Sequence, residues 1–459
     1  MSLDPAALLT DARHEVGWLG AAGVDFSEDP AILESRRADR SGWPPEGRPA
    51  AVVFPRDAAE VRRTLRLAND AGTAVVPRGA GTSLTGASAA GAGTVVLDLS
   101  RMNRIVSLSP DDGTAVVEPG VITADLDRAA AGLGLRYAPD PASHEISTIG
   151  GNIATNAGGL RCAKYGVTRD SVLGLEVVLA DGRQLSTGTS TLKGVAGYDL
   201  TGLFVGSEGT LGVVVRATLR LRPAPLATAT IAASFADIET AAAASVALSS
   251  ARVQPALAEL LDEATLDAID AAQGTDLRSR GAALLIVQTD GAAATAEAEL
   301  VAEVLARTAT GVQVSADGTE LLAARRLALP SIERLGRPLI EDIAVPRSRL
   351  ADAVREIAAI GARHRVPICT LAHAGDGNLH PIVVVDPAAA GIPAAAQQAA
   401  DDIFALAHEL GGTITGEHGV GTLKRAWLGR ELGSTNHDLQ RQLKAVFDPR
   451  GILNPGKAI

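Results

Sequence analysis

The sequence predicts an α+β protein of more than one domain, and three observations carry that prediction. At 459 residues the chain exceeds what one hydrophobic core usually organises. It is 46% apolar and only 21% charged, so it can bury large cores. Its apolar pattern also alternates between short strand-like runs and helical periods, with a change of character after the segment 223–227, Pro-Ala-Pro-Leu-Ala. The net charge of −11 argues against nucleic acid or an anionic membrane as the main partner, because both reward basic surfaces. Only Cys162 and Cys369 are present, which excludes a disulfide framework and a cysteine-ligated iron–sulfur cluster and points to a reducing compartment. Met1-Ser2-Leu3-Asp4-Pro5 lacks the basic start and apolar core of a signal peptide. The Ala-rich stretch Thr228 to Ser250 is broken by Asp237 and Glu239, so no bilayer-crossing run is expected. A cytoplasmic location follows, with peripheral contact at the inner face of the membrane left open.

In chain order, Asp4 to Leu19 reads as an amphipathic helix, followed by an approach segment ending at Trp43-Pro44-Pro45. A βαβ unit comes next: strand Ala51 to Phe54, a helix from Asp57 to Ala71 with Val61, Leu65 and Ala68 on one face, and strand Ala74 to Pro77. Pro77-Arg78-Gly79-Ala80-Gly81-Thr82-Ser83-Leu84-Thr85-Gly86 then leaves so little side-chain bulk that main-chain N–H groups could approach an anion closely. A diphosphate cradle and a surface turn both suit this loop, whereas a Rossmann loop would need a third glycine at its own spacing. Strands Thr94 to Leu99 and Ala115 to Glu118 and a helix from Thr123 to Gly132 complete this half.

Further glycine-dense segments occupy 147–159 and 205–212. The first, preceded by Pro139-Asp140-Pro141-Ala142-Ser143, allows backbone to lie flat on a planar group or a phosphate. Strands Leu173 to Leu179 and Val213 to Leu221 flank the turn Asp181-Gly182 and the loop Val205 to Gly212. Three such clusters exceed what turns require, and one large nucleotide cofactor accounts for them together.

These motifs resemble the FAD-binding half of the vanillyl-alcohol oxidase superfamily, the PCMH type. With the C-terminal motifs below, they are similar to the FAD-linked D-2-hydroxyacid dehydrogenases: cytochrome-type D-lactate dehydrogenase, D-2-hydroxyglutarate dehydrogenase and the flavoprotein component of glycolate oxidase. The resemblance implies a helical segment over 1–45, a two-subdomain FAD-binding domain over 46–225, a substrate-binding cap with an antiparallel sheet over 226–410, and a segment 411–459 that returns to the FAD domain. It implies FAD contacts from Pro77, Arg78, Gly79, Ala80, Gly81, Thr82, Ser83, Gly86, Pro139, Asp140, Ser143, Gly150, Gly151, Ala154, Asn156, Gly158, Gly159, Gly166, Glu208, Gly212, Val213 and Asn454. Thr82 stands where relatives with a histidyl-linked flavin carry His, so FAD is expected to be held non-covalently. A homodimer is also implied.

Beyond residue 227 the pattern predicts helices Ile238 to Arg252, Asp262 to Ala272 and Ala292 to Ala306, and strand Ala283 to Thr289. Arg325 and Arg326 adjoin on an apolar helix, ahead of Glu341-Asp342-Ile343-Ala344-Val345-Pro346. A guanidinium suits a substrate carboxylate or a plain salt bridge, and by resemblance Arg325 takes the carboxylate. The threonine and lysine that bind a distal carboxylate in the D-2-hydroxyglutarate enzymes correspond to Leu329 and Ile340, which favours a monocarboxylate.

Strand Ile368 to Ala372 leads into His373-Ala374-Gly375-Asp376-Gly377-Asn378-Leu379-His380, and strand Ile382 to Val385 leaves it. A hairpin there would let His373 and His380 converge, and Thr415-Gly416-Glu417-His418-Gly419 supplies a carboxylate in Glu417. Two imidazoles and one carboxylate suit a divalent cation, zinc with manganese or iron as alternatives, and leave positions open for substrate oxygens. His418 is the natural general base, with Asp376 as a rival that better suits the turn. Asn378 could hydrogen-bond the substrate or a ligand. His364 and His408 fit no motif.

The expected reaction is oxidation of a D-lactate-like hydroxyacid to its 2-oxoacid, with electrons passed on to a cytochrome, a quinone or an electron-transfer flavoprotein. A flavoprotein subunit of a glycolate-oxidase-like complex and a metal-dependent hydrolase are the other readings.

Overall fold

The computed structural model describes residues 16–191, 193–316 and 318–459. The helix expected over Asp4 to Leu19 therefore lies largely outside the described residues, and a helical turn begins at Leu19. The chain divides into two compact units. The first takes the chain through Ala157, then Val167–Pro223 and His418–Ile459; the second takes Gly158–Gly166 and Ala224–Glu417. The main segment of the second unit, Ala224–Glu417, is thus joined by a nine-residue excursion at 158–166.

In the first unit, Ala51–Val53, Thr94–Asp98 and Ala74–Arg78 form a parallel array, extended by the antiparallel pair Phe26–Ser27. The helix Ala58–Ala71 is capped by Asp57, whose carboxylate accepts from the Glu60 N–H, and buries Val61, Leu65 and Ala68 as the 3.6-residue period requires. A second, antiparallel sheet runs in the order Ile105–Ser109, Thr114–Val117, Val213–Arg220, Val172–Val178, Gln184–Gly188. Its edge strands Ile105–Ser109 and Gln184–Gly188, and the helix Pro30–Arg37, were not anticipated; their mixed polar composition hides the period.

One expectation needs correcting. The glycine cluster at 147–159 is not flat backbone: Ile149–Thr155 is a helix capped by Thr148, ending at Asn156 in the left-handed region. Glycine there permits close approach, because a Cβ on Gly150 would lie 2.6 Å from Pro119 Cβ. Within this unit the chain end pairs with an inner strand: Val75 N–H donates to Ile452 O at 2.7 Å, and Asn454 N–H donates to Val75 O at 2.8 Å.

The second unit is built on an antiparallel sheet in the order Gly311–Ser315, Thr228–Phe235, Ala283–Asp290, Leu257–Leu261, Ile368–His373, Asn378–Val385, Arg337–Ile340, with Ile343–Ala344 also pairing Asn378–Val385. Helices Ile238–Ala247, Glu263–Gln273, Ala294–Leu305, Thr319–Ile332, Leu350–His364 and Ala394–Glu409 belong to it. The strand Leu257–Leu261, which the apolar pattern alone did not reveal, lies at the middle of this sheet. Among the described residues no helix is long and apolar enough to cross a membrane.

Candidate functional site

In the first unit, strand Ala74–Arg78 delivers the loop 79–86 against the start of helix Ile149–Thr155. Gly79 approaches so closely that a Cβ would lie 2.2 Å from Thr148 Oγ1. Gly86, at φ +83°, passes equally close to Thr422 Oγ1, where any side chain would be strained. Among the described residues, the six main-chain N–H groups of residues 79–84 find no partner within the protein. A run of unengaged donors on a small-residue loop is what a diphosphate needs, so the residues present fit FAD.

Several side chains expected to touch the cofactor also bond the loops of this unit. The Arg78 guanidinium is buried and donates to the carbonyls of Ser88 at 2.9 Å and Ala38 at 2.8 Å, clamping the loop from behind. The Glu208 carboxylate accepts from the N–H groups of Val420 at 2.7 Å and Gly421 at 2.8 Å. Burial raises its pKa, and those two N–H donors partly offset the rise. Asn156 Oδ1 accepts from Arg169 N–H at 2.9 Å. Asn454 Nδ2 donates to Ala87 O at 2.9 Å and Glu208 O at 2.7 Å, while its buried Oδ1 has no partner among the described residues. Gly158, Gly159 and Gly166 fall in the second unit, whereas the other cofactor-loop residues fall in the first.

The second unit brings its histidines together by sheet register. Antiparallel pairing sets Glu259 opposite His373, His373 opposite Asn378, and Leu371 opposite His380. Because alternate residues share a face, Glu259, His373, Asn378 and His380 all project to the same side. Gly377, at φ +91°, closes the hairpin with its N–H on His373 O, as the turn chemistry requires. The two imidazole rings lie 5.0 Å apart at 84°. Glu417 Oε1 sits 3.1 Å from Nε2 of each. Gly158 makes room for it, since a Cβ there would lie 2.3 Å from Glu417 Oε2.

Two fully buried acids frame this cluster. Glu259 Oε1 is 2.6 Å from His373 Nδ1, and its Oε2 accepts from Arg325 Nε at 2.6 Å. Asp342 accepts from Asn378 Nδ2 at 2.7 Å, Thr415 Oγ1 at 2.8 Å and Glu417 N–H at 3.1 Å. Asp342 thereby fixes the backbone that presents Glu417. Asn378 Oδ1 has no partner among the described residues and offers an acceptor to a ligand. Arg325 is buried while its neighbour Arg326 is exposed, and Leu329 and Ile340 pack on the apolar cluster around Leu266, Ile269 and Ile332.

Electrostatics reinforce the geometry. Burial disfavours a charged His373, but the carboxylates of Glu259 and Glu417 outweigh it and hold the imidazole well above its usual range. Burial likewise pushes Glu417 up, and His373 and His380 outweigh it, holding the carboxyl well below its usual range. The donor atoms of His373, His380 and Glu417 lie within 4.8 Å of one another. Two imidazoles, one of them backed by a carboxylate, and a third anionic donor fit a divalent cation, which would replace the proton between them.

Sequence reasoning assigned no role to Glu259 or Asp342. Glu259 had a readable signal, a lone acid in the apolar run Leu257-Ala258-Glu259-Leu260-Leu261; Asp342 had none beyond its place in a motif. His364, left unassigned, pairs with Asp402 at 2.8 Å.

The first unit thus carries a glycine-loop cradle that fits a dinucleotide cofactor, and the second an acid–imidazole cluster on an antiparallel sheet, the parts of a flavoprotein. Residues 49–188 match the family described as FAD binding domain, and residues 224–458 match FAD linked oxidases, C-terminal domain. The chain is 45% identical to glycolate oxidase subunit GlcD of Bacillus subtilis (strain 168), covering 89% of this chain and 88% of that one. It is 34% identical to D-lactate dehydrogenase of Archaeoglobus fulgidus, with 95% of each chain covered. Among solved structures, 4-ethylphenol oxidase from Gulosibacter chungangensis superposes with a TM-score of 0.75 at 21% identity, over 94% of each chain. p-Cresol methylhydroxylase gives 0.75 at 16%, over 94% of this chain and 93% of its own, so the fold is the PCMH type. The protein belongs to the family of FAD-linked oxidases and is an FAD-linked oxidoreductase.

Proposed function

We propose that the protein oxidises a small D-2-hydroxyacid, D-lactate or glycolate in kind, to the corresponding 2-oxoacid. The observation that carries this is the His373–His380–Glu417 cluster, its two imidazoles buried, with Arg325 two contacts away through Glu259, in a chain that belongs to an FAD-linked family. FAD, held without a covalent bond, supplies the two-electron acceptor when bound; a divalent cation, zinc for preference, supplies a Lewis acid for the substrate oxygens when bound.

The chain's own residues do the rest. His373, His380 and Glu417 hold the cation. Arg325 uses its Nη edge to receive the carboxylate, because Nε is engaged by Glu259. His418, next in sequence to Glu417, takes the hydroxyl proton as the α-hydrogen departs with its electron pair. Leu329 and Ile340 are apolar where a second carboxylate would need cations, so a monocarboxylate is preferred over D-2-hydroxyglutarate. Electrons then leave to an external acceptor such as a cytochrome, a quinone or an electron-transfer flavoprotein.

The 45% identity to a relative named as a glycolate oxidase subunit favours a second reading, a flavoprotein that turns over only within a larger complex. Anaerobic flavin bleaching by the isolated chain separates the two. The first reading expects bleaching by D-lactate or glycolate and a weak response to D-2-hydroxyglutarate, and it expects His418→Ala to slow bleaching about 10²–10⁴-fold. Preferential bleaching by D-2-hydroxyglutarate would overturn the substrate assignment. Near-native rates in His418→Ala would remove His418 as the base.

A further inference from the structure

Glu259 is 0% exposed, yet it is a carboxylate whose two oxygens are divided between groups from different elements. Oε1 faces His373 Nδ1 at 2.6 Å on the adjoining strand Ile368–His373; Oε2 accepts from Arg325 Nε at 2.6 Å on the helix Thr319–Ile332. A charge buried this completely is costly, and a plain structural ion pair would need only one of those partners. We propose that Glu259 is a positioning residue with two clients: it fixes His373 with its proton on Nδ1 and Nε2 turned to the cation, and it orients Arg325 to receive the substrate carboxylate. The inference rests on the metal-centre reading above and assigns the residue that ties cation affinity to hydroxyacid recognition.

Register leaves Glu259 little freedom. It lies directly across from His373 between hydrogen-bonded strands, so the pair is set by the backbone rather than by flexible side chains. Neutral imidazole has one donor and one acceptor nitrogen. An acceptor held 2.6 Å from Nδ1 therefore keeps the proton there when the imidazole is neutral, so that Nε2, which faces His380 and Glu417, can give its lone pair to a cation that displaces its proton. On the other side, engagement of Nε turns Arg325 into an end-on fork. Among the described residues no hydrogen bond engages its Nη1 or Nη2, and these two parallel donors match one planar carboxylate.

Replacing the acid by an amide puts an NH₂ against one client. In Glu259→Gln, the side chain can accept from His373 or from Arg325, but not from both. Arg325→Lys keeps the charge and loses the fork while leaving the His373 contact intact.

The test uses the full chain with FAD bound and metal removed. Zinc(II) affinity is measured by competition with a chromophoric chelator for the native protein, Glu259→Gln and Arg325→Lys. Affinity for D-lactate is read separately from the concentration dependence of anaerobic flavin reduction. Glu259→Gln should bind zinc about 10–100-fold more weakly and also need more D-lactate for half-maximal reduction. Arg325→Lys should keep native zinc affinity and lose only in D-lactate. Zinc-loaded native protein labelled with ¹⁵N-histidine should show His373, assigned by its loss in His373→Gln, protonated on Nδ1. Native zinc affinity in Glu259→Gln, or loss of zinc affinity in Arg325→Lys, would overturn the inference. If Glu259→Gln does not fold, the tautomer decides, since a zinc-loaded His373 without a proton on Nδ1 contradicts the proposed role. A native chain that binds no zinc at all sinks the metal-centre reading itself, a different result from a native chain whose affinity is indifferent to Glu259.

Discussion

The two candidate sites are built by opposite means. The first unit's cradle is made of backbone: six consecutive N–H groups at 79–84 with hardly any side chain among them, braced from behind by Arg78. The second unit's cluster is made of side chains, and each functional group is held by another charged one: His373 by Glu259, and the Glu417 backbone and Asn378 by Asp342. A backbone site fails when bulk is added, whereas a side-chain site fails when one charged member is taken away. The two should therefore fail independently.

The largest expected effect is on the side-chain site. His373→Ala removes one imidazole donor and leaves Glu259 with Arg325 alone and Glu417 with His380 alone, so hydroxyacid-dependent flavin reduction should fall on the order of 10³-fold or more. FAD content, read from absorbance after gel filtration, should stay native. Parallel loss of FAD and activity would erase the distinction between the sites. Next comes Gly79→Val. A Cβ at 2.2 Å from Thr148 Oγ1 forces the loop off the helix start, and overpacking of about 1–3 kcal/mol translates into roughly 5–150-fold weaker FAD retention. Zinc affinity in that variant should not change.

A smaller effect tests the electrostatics of the first unit. Lys457 is buried with its ammonium on Ala89 O, and burial pushes its pKa down to about 8, with Asp39 and Glu208 opposing the shift. The unfolded chain binds this proton more tightly than the folded one, so the cost of holding Lys457 charged is fully present below pH 8. It is relieved as pH rises toward the unfolded value of 10.5. Relative to Lys457→Met, the native protein should thus gain about 2 kcal/mol between pH 8 and pH 10. Denaturant midpoints of both cofactor-free proteins at the two pH values measure it, and a flat difference would show that the site does not desolvate the lysine. Smallest of all, Leu329→Thr should change the ratio of D-lactate to D-2-hydroxyglutarate turnover by less than about tenfold, because one hydroxyl cannot replace a missing cation.

The same contrast explains what could be read in the sequence. Glycine spacing at 79–86 and the His-x6-His hairpin were legible because small residues and turn chemistry act locally. His373 and His380 converge through a register that the turn Gly375-Asp376-Gly377 sets by itself. Glu259 was not legible, because its role comes from pairing with a strand more than a hundred positions away in sequence. Arg78, Asn156 and Glu208 were read as cofactor contacts; their side chains also satisfy carbonyls and N–H groups of the surrounding loops, a demand visible only once those loops are folded. The 147–159 segment shows the converse. Its glycines suggested backbone lying flat on a ligand, yet Thr148 capping makes it helical, with Ile149 and Ile153 packed into the core.

The most direct measurement is anaerobic flavin bleaching by D-lactate before and after chelation. Chelated protein should stay yellow, retain FAD, and not bleach until zinc is restored. Bleaching at an undiminished rate in protein shown to be metal-free would contradict it, because His373, His380 and Glu417 would then have no cation to hold.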